Sequence, residues 1–341
     1  MVKQARPAPR RRGLPVLAAC VVLAAAVLAG CGEGSTGAGS GGRSTDQTVR
    51  VLAFKPPSLG AFLPAVIESR KIDSANGIDM QFTYTTPDNY NAEFGAGHFD
   101  VGGSAALLSE ALRTERDANV TYLFNLFDFF GAVVTSKDGV QSLGDLEGKK
   151  LAAATGTTNF AMFQWFAKQQ GLDLDKVEKV NQTTAGLSSM AASGRTDGTQ
   201  LWEPAYSTLL AKNKDVRTLD LGLSRWQSTF HTDSIPYLGV AAKGEWAKAH
   251  ADTVKKMFAV YKEAADWVRQ NPDDAAKIIA KDIPNGDPAV IAGLIRNNDK
   301  LGLAVAPADQ VADGIDAVFK AGEQTGYLKQ DPPESIVYKG L

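Results

Sequence analysis

The chain has 341 residues, with 36 basic and 38 acidic side chains and a formal net charge of −2; this near balance, without a basic face interleaved with aromatics, excludes a nucleic-acid binder. Its two cysteines, Cys20 and Cys31, both lie close to the N-terminus, which excludes a disulfide framework or thiolate metal site in the rest and leaves core burial to hold the fold. With three histidines and no Gly-x-Ser-x-Gly elbow, His-Glu-x-x-His pair or phosphate loop, the chain offers no constellation for hydrolysis or nucleotide chemistry, and an enzyme is not expected.

At the N-terminus Lys3, Arg6, Arg10, Arg11 and Arg12 precede an uncharged run from Gly13 to Gly30, the layout of an export signal over residues 1–30. That segment carries five positive charges and no negative ones, so the remainder bears a net charge of −7. The segment ends in Leu28-Ala29-Gly30-Cys31, which resembles the bacterial lipobox and implies lipidation of Cys31. Arg10-Arg11-Arg12-Gly13-Leu14 also fits a twin-arginine signal, so the export route stays open between two pathways. No second apolar run is long enough to span a membrane. Residues 31–47 are rich in Gly, Ser and Thr and read as a flexible tether. Gly37, Gly39 and Gly42 have the spacing of a dinucleotide fingerprint, but no strand precedes them and no helix follows.

From Thr48 the pattern alternates between strand and helix. Thr48 to Phe54 reads as a strand, and Lys55-Pro56-Pro57-Ser58 turns the chain into a helix carrying Phe62, Leu63, Val66 and Ile67. Met80 to Tyr84 alternates as a strand, a short helix near Asn89 to Phe94 ends at Gly95, and Phe99 to Ser104 leads from strand into a helix over 105–113. Such alternation predicts an α/β fold with a mainly parallel sheet covered on both faces. Gly97-His98-Phe99-Asp100 and Gly194-Arg195-Thr196-Asp197 each follow a helix and enter a strand, an echo that suggests two similar lobes. Two candidate crossing strands, 129–135 and 235–242, divide the chain into a first lobe of 48–135 and 235–341 and a second lobe of 136–234. The return is largely helical: Val254, Met257, Phe258, Tyr261, Ala265 and Val268 form one stripe that Asn271-Pro272 ends. Further helices fit 273–281, 288–298 and 309–326.

The most informative stretch is Leu151-Ala152-Ala153-Ala154-Thr155-Gly156-Thr157-Thr158-Asn159 followed by Phe160 to Gln170. An apolar run ends at a hydroxyl-rich turn, and Phe160, Phe163 and Phe166 then recur at helical spacing. The turn is therefore a helix N-terminus, where free N–H groups, hydroxyls and the positive end of the dipole suit an anionic or strongly polar ligand. Three hydrogen bonds to a charged partner supply roughly 5–9 kcal/mol before association costs, whereas micromolar binding needs about 8 kcal/mol net. A second surface must therefore close on the solute.

The lipobox, Gly97-His98-Phe99-Asp100-Val101-Gly102, Leu143-Gly144-Asp145-Leu146-Glu147-Gly148-Lys149-Lys150-Leu151 leading into Thr155-Gly156-Thr157-Thr158, and Gly194-Arg195-Thr196-Asp197 leading into Leu201-Trp202-Glu203-Pro204 together carry a family resemblance. Over residues 48 to 330 the chain resembles the substrate-binding lipoproteins of ABC importers in the nitrate, sulfonate, taurine and thiamine-pyrimidine branch. The resemblance implies a two-lobed, periplasmic-binding-protein-like (type II) α/β fold with two crossing hinge strands and a ligand in the interlobe cleft. It further implies a monomer without cofactor or metal, anchored by lipid to the outer face of the cell membrane and delivering its solute to a permease with its ATPase. Carried over by position, the cleft is lined by Lys55, Pro56 and Ser58, by Ser104 and by Phe129 from the first lobe or its crossing. The second lobe contributes Thr155, Gly156, Thr157, Thr158 and Asn159, with Trp202, Glu203 and Tyr206 beside them. The helix N-terminus favours a small sulfonate-like or nitrate-like anion; Trp202 and Glu203 favour a pyrimidine or other aromatic heterocycle. A pyrimidine-synthesis enzyme of the same superfamily and a sensor subunit without transport are the remaining alternatives.

Overall fold

The computed structural model describes residues 47–341; the signal segment, Cys31 and all but the last residue of the tether lie outside the described residues. The chain opens with β1 (Gln47–Phe54), whose alternation buries Val49 and Val51, and continues through α1 (Phe62–Arg70) and the short α2 (Ile72–Ala75) to β2 (Ile78–Thr85). Next come α3 (Pro87–Gly95), β3 (Val101–Ala106), α4 (Leu107–Thr114) and β4 (Val120–Asp128). Every residue of β4 from Val120 to Phe127 is buried, as an interior strand covered on both faces requires.

The second lobe holds β5 (Gly131–Ser136), β6 (Lys150–Ala153), α5 (Thr158–Gln169), β7 (Glu178–Asn181), α6 (Thr184–Ser193), β8 (Gly198–Trp202), α7 (Ala205–Lys212), β9 (Val216–Leu219) and α8 (Ser224–Phe230). The chain then returns through β10 (Pro236–Lys243), α9 (Gly244–Ala249), α10 (Ala251–Gln270), α11 (Pro272–Ala280), α12 (Pro288–Arg296), α13 (Asn298–Leu301), β11 (Leu303–Pro307) and α14 (Ala312–Gln324).

The strands form a six-stranded sheet, ordered β11-β4-β10-β3-β1-β2, and a five-stranded sheet, ordered β7-β6-β8-β5-β9. Each contains a parallel trio, β2-β1-β3 or β7-β6-β8, joined by right-sized helical crossovers. The expected mainly parallel sheet holds only for these trios. Strands β10 and β5 run antiparallel to β3 and β8, because each enters its sheet from the opposite lobe rather than through a helical crossover.

The sequence echo has a structural counterpart. Asp100 accepts the backbone N–H of Arg50 at 2.9 Å, and its own N–H donates to the Arg50 carbonyl at 3.0 Å. Asp197 does the same with Lys150, at 2.9 Å in both directions. One Asp thus ties the third strand of each trio to the first before their ladder begins.

The chain passes between the sheets at Phe129-Phe130 and again just before Ile235. The Phe129 N–H donates to the Ile235 carbonyl at 2.9 Å, so the two passages lie side by side. They are shorter than the strands 129–135 and 235–242 suggest: β4 remains in the first sheet to Asp128, and β5 belongs wholly to the second. Helix α5 is buried along most of its length, and Trp165 donates from its indole to Gln324 of α14 at 2.9 Å. The helix that carries the Thr-rich turn is therefore held from both lobes.

Strand β10 is tightly enclosed at Gly239, where a Cβ would stand 2.1 Å from the Tyr122 hydroxyl and 2.4 Å from the Phe124 carbonyl. Gly239→Ala is expected to lower the unfolding free energy by roughly 1–3 kcal/mol, measured by urea denaturation followed by circular dichroism; an unchanged midpoint would show that the strand yields freely.

Candidate functional site

In both sheets the three parallel strands end at the same place, the gap between the lobes, and a helix starts after each one. Such carboxyl ends are where open α/β sheets bind ligands. A cleft of about 550 Å³ lies there. The first lobe lines it with Phe54 at the end of β1, Pro87, Asp88, Tyr90 and Asn91 after β2, and Ala106 and Ser109 after β3. The second lobe matches this with Ala154 and Gly156 to Asn159 after β6, Asn181 to Thr184 after β7, and Trp202 at the end of β8. Phe130 and Tyr237 form the floor beside the passages, and Tyr327 closes one side after α14.

The helix starts are capped by short hydroxyl side chains. Ser58 accepts from Gly60 N at 3.3 Å, Thr86 from Asn89 N at 3.3 Å, Thr157 from Phe160 N at 3.3 Å and Thr183 from Gly186 N at 3.2 Å. The dipoles of α3, α5 and α6 point their positive ends at the cleft, and their first-turn N–H groups have no carbonyl within the helix to receive them. Asp88 is the one carboxylate of the lining, and no Lys or Arg of the described residues lines the cleft. The positive partial charge that the lining offers an anion therefore comes from the backbone.

Asn159 adds a free donor. Gln200 donates from its amide to the Asn159 carbonyl at 3.0 Å and to Asn159 Oδ1 at 2.9 Å. Asn159 Nδ2 is left buried without a partner, on a residue that lines the cleft and is 2% exposed. A buried amide N–H₂ left unmatched costs free energy, and a ligand oxygen at the α5 N-terminus would relieve that cost. Nearby, the Thr158 and Tyr237 hydroxyls are 2.9 Å apart, and Phe130 meets Tyr237 edge-on at 5.1 Å.

Of the residues expected from the sequence, Ser58, Gly156, Thr157, Thr158, Asn159 and Trp202 line the cleft, and seven others do not. Lys55 and Pro56 sit outside it, with Lys55 exposed to solvent and its N–H held by the Thr85 carbonyl at 2.8 Å. Ser104 lies inside β3 rather than at a helix start, fully buried; its Oγ accepts the Phe54 N–H at 2.9 Å and donates to the Gly60 carbonyl at 3.4 Å. Phe129 points away and stacks on Phe166 at 5.5 Å, while its neighbour Phe130, of opposite side-chain direction, takes the cleft position. Thr155 is engaged with Asn181, whose Oδ1 accepts its N–H at 3.1 Å and its hydroxyl at 2.9 Å.

Glu203 is fully buried, its carboxylate accepting the Ser207 hydroxyl at 2.6 Å and the Ser207 N–H at 3.3 Å. It caps the first turn of α7 and does not face the ligand space, and Tyr206 beside it is buried outside the lining. Burial pushes the Glu203 carboxyl up to about 7 despite those hydrogen bonds. The sequence reading missed Asn181 to Thr184, Tyr90, Asn91, Ser109, Tyr237 and Tyr327. One signal was available: Thr183-Thr184 follows a short strand as Thr157-Thr158 does.

A family model described as NMT1/THI5 like matches residues 74–275, more than half of the chain. A Brucella abortus (strain 2308) protein named "Putative binding protein" is 26% identical over 225 residues, which span 65% of this chain and 67% of that one. The fold is similar to that of the periplasmic aliphatic sulphonate binding protein SsuA from Escherichia coli, with a TM-score of 0.69 and 16% identity over 87% of this chain and 94% of the other. It is equally similar, at TM-score 0.69 and 16% identity, to the alkanesulfonate-binding protein SsuA from Xanthomonas axonopodis pv. citri bound to MOPS, over 85% of this chain and 98% of that one.

The raised Glu203 carboxyl makes a signed expectation. An acid whose folded value lies above its ordinary 4.5 stabilises the fold below 4.5 and loses that contribution as pH rises through about 7. Glu203→Gln should therefore gain stability relative to the parent as pH goes from 5 to 8 in thermal melts. A constant difference across that range would mean that the carboxyl is already ionised at pH 5.

Proposed function

The chain belongs to the NMT1/THI5-like family, and from that premise we propose that it is the extracytoplasmic solute receptor of an ABC importer. It captures a small organic monoanion of the sulfonate type between its lobes and passes it to the permease, which the ATPase drives. The observation that carries this reading is the α5 N-terminus, where the buried, unpartnered Asn159 Nδ2 and the first-turn N–H groups border a cleft supplied by both lobes. An oxyanion head there receives donors without a cationic side chain, as anions at helix N-termini do. A monoanion is favoured over a dianion, since only partial charges are available and Asp88 opposes further negative charge.

Phe54, Phe130 and Trp202 supply apolar area for an organic body, and a cleft of about 550 Å³ is far larger than nitrate fills. The sulfonate ligands named for the two structural relatives support the same class. A second reading, a receptor for an aromatic heterocycle, is favoured by the aromatic lining, to which Tyr90, Tyr237 and Tyr327 also belong. In both readings the protein binds and releases without covalent chemistry, works as a monomer, and is tethered to the outer face of the cell membrane through Cys31.

Isothermal titration with propanesulfonate, benzenesulfonate, taurine, nitrate and the thiamine pyrimidine tests the proposal. One-to-one binding of an organosulfonate is expected, with nitrate weakest and with a change in Trp202 fluorescence on binding. Asn159→Ala should weaken the sulfonate by about 10- to 100-fold, the value of a hydrogen bond to a charged group. Binding of the pyrimidine alone would favour the second reading, and no heat with any compound would overturn both.

A further inference from the structure

Besides setting a limit on the charge of the solute, Asp88 joins the two lobes. It is the second residue of α3 in the first lobe, and its Oδ2 accepts a hydrogen bond from Oγ1 of Thr184, the first residue of α6 in the second lobe, at 2.9 Å. The other described side-chain hydrogen bonds that join the lobes are Thr158 to Tyr237, beside the passages, and Trp165 to Gln324, which anchors α5 to α14. The Asp88 bond instead spans the rim of the cleft, between two helix N-termini.

Two helix N-termini facing each other carry like partial charges and repel. A carboxylate placed between them reverses the sign of that interaction and adds a charge-assisted hydrogen bond. We propose that Asp88 is a positioning residue that clasps the cleft shut through Thr184, so that closure is driven partly by the protein itself. Because the clasp is made of protein groups only, it favours closure before any solute arrives. A solute then needs less differential affinity for the closed state to shift the population. This consequence for affinity rests on the receptor reading, whereas the clasp does not.

The test therefore uses no solute. Spin labels are placed on Cys introduced at exposed Ala92 in α3 and exposed Ser188 in α6, with Cys20 and Cys31 replaced by Ser, and interlobe distances are read by double electron–electron resonance. One dominant short distance is expected for the parent. Asp88→Ala and Thr184→Val should each move population to longer distances, changing the closed-to-open ratio about threefold, as befits an exposed hydrogen bond from a hydroxyl to a carboxylate. The double variant should go no further than either single one, and Thr184→Ser, which keeps the hydroxyl, should retain the parent distribution. Unchanged distances in the single variants, independent effects in the double variant, or opening in Thr184→Ser would each overturn the clasp. Any of these would leave the titration result for the receptor reading untouched.

Discussion

The two passages of chain between the lobes are bonded to each other, Phe129 N–H to Ile235 carbonyl at 2.9 Å, and the rest of the structure depends on that pairing. A single passage would be a swivel; two joined side by side restrict the lobes to rotation about a common line. The restriction places the carboxyl ends of both parallel trios opposite one another. The aromatic side chains around the passages make this junction part of the core. Phe129 stacks on Phe166 of α5, and Tyr237 meets both Phe129 and Phe130 edge-on at 5.7 and 5.1 Å. Rotation at the hinge is thereby linked by direct packing to the helix whose N-terminus borders the cleft.

The electrostatics follow from the same geometry. Six parallel strands each lead into a helical segment at the interlobe gap, and the starts of α3, α5 and α6 face the cleft, so an anion there meets positive partial charges without a cationic side chain. This arrangement suits a solute that must be released. A buried guanidinium paired with an anion would hold it through a strong, fixed charge, whereas partial charges spread over several N–H groups lose their grip when the lobes part. The carboxyl of Glu203, expected from the sequence to favour an aromatic heterocycle, is occupied with the first turn of α7 and has no part in this balance.

Much of the fold was legible because periodicity reports burial. The amphipathic stripe of α10 and the turn before α5 were read correctly, since Val254 to Val268 and Phe160 to Phe166 repeat at helical spacing. The short β7 and β9 were not, because Glu178-Lys179-Val180-Asn181 and Val216-Arg217-Thr218-Leu219 hold too few apolar side chains to stand out from a loop, unlike the equally short β6. The site was legible where a turn carries its own chemistry, as at Thr157 to Asn159. It was illegible where position depends on one residue of register: Phe129 and Phe130 exchange roles because neighbours in an extended segment face opposite ways. Ser104 was misplaced for a related reason, because β3 continues two residues past it before α4 starts. Asn181 and Asp88 owe their places to long-range packing that no local pattern records.

In the proposed complex an anionic head sits at the α5 N-terminus with its organic body toward the aromatic wall. A crystal structure of the protein with propanesulfonate, the sulfur located by anomalous scattering, tests it most directly. Sulfonate oxygens are expected within hydrogen-bond distance of Asn159 Nδ2 and the first-turn N–H groups of Thr158 and Asn159. A sulfur lying instead against the first-lobe wall, at Tyr90 and Ser109, would contradict it.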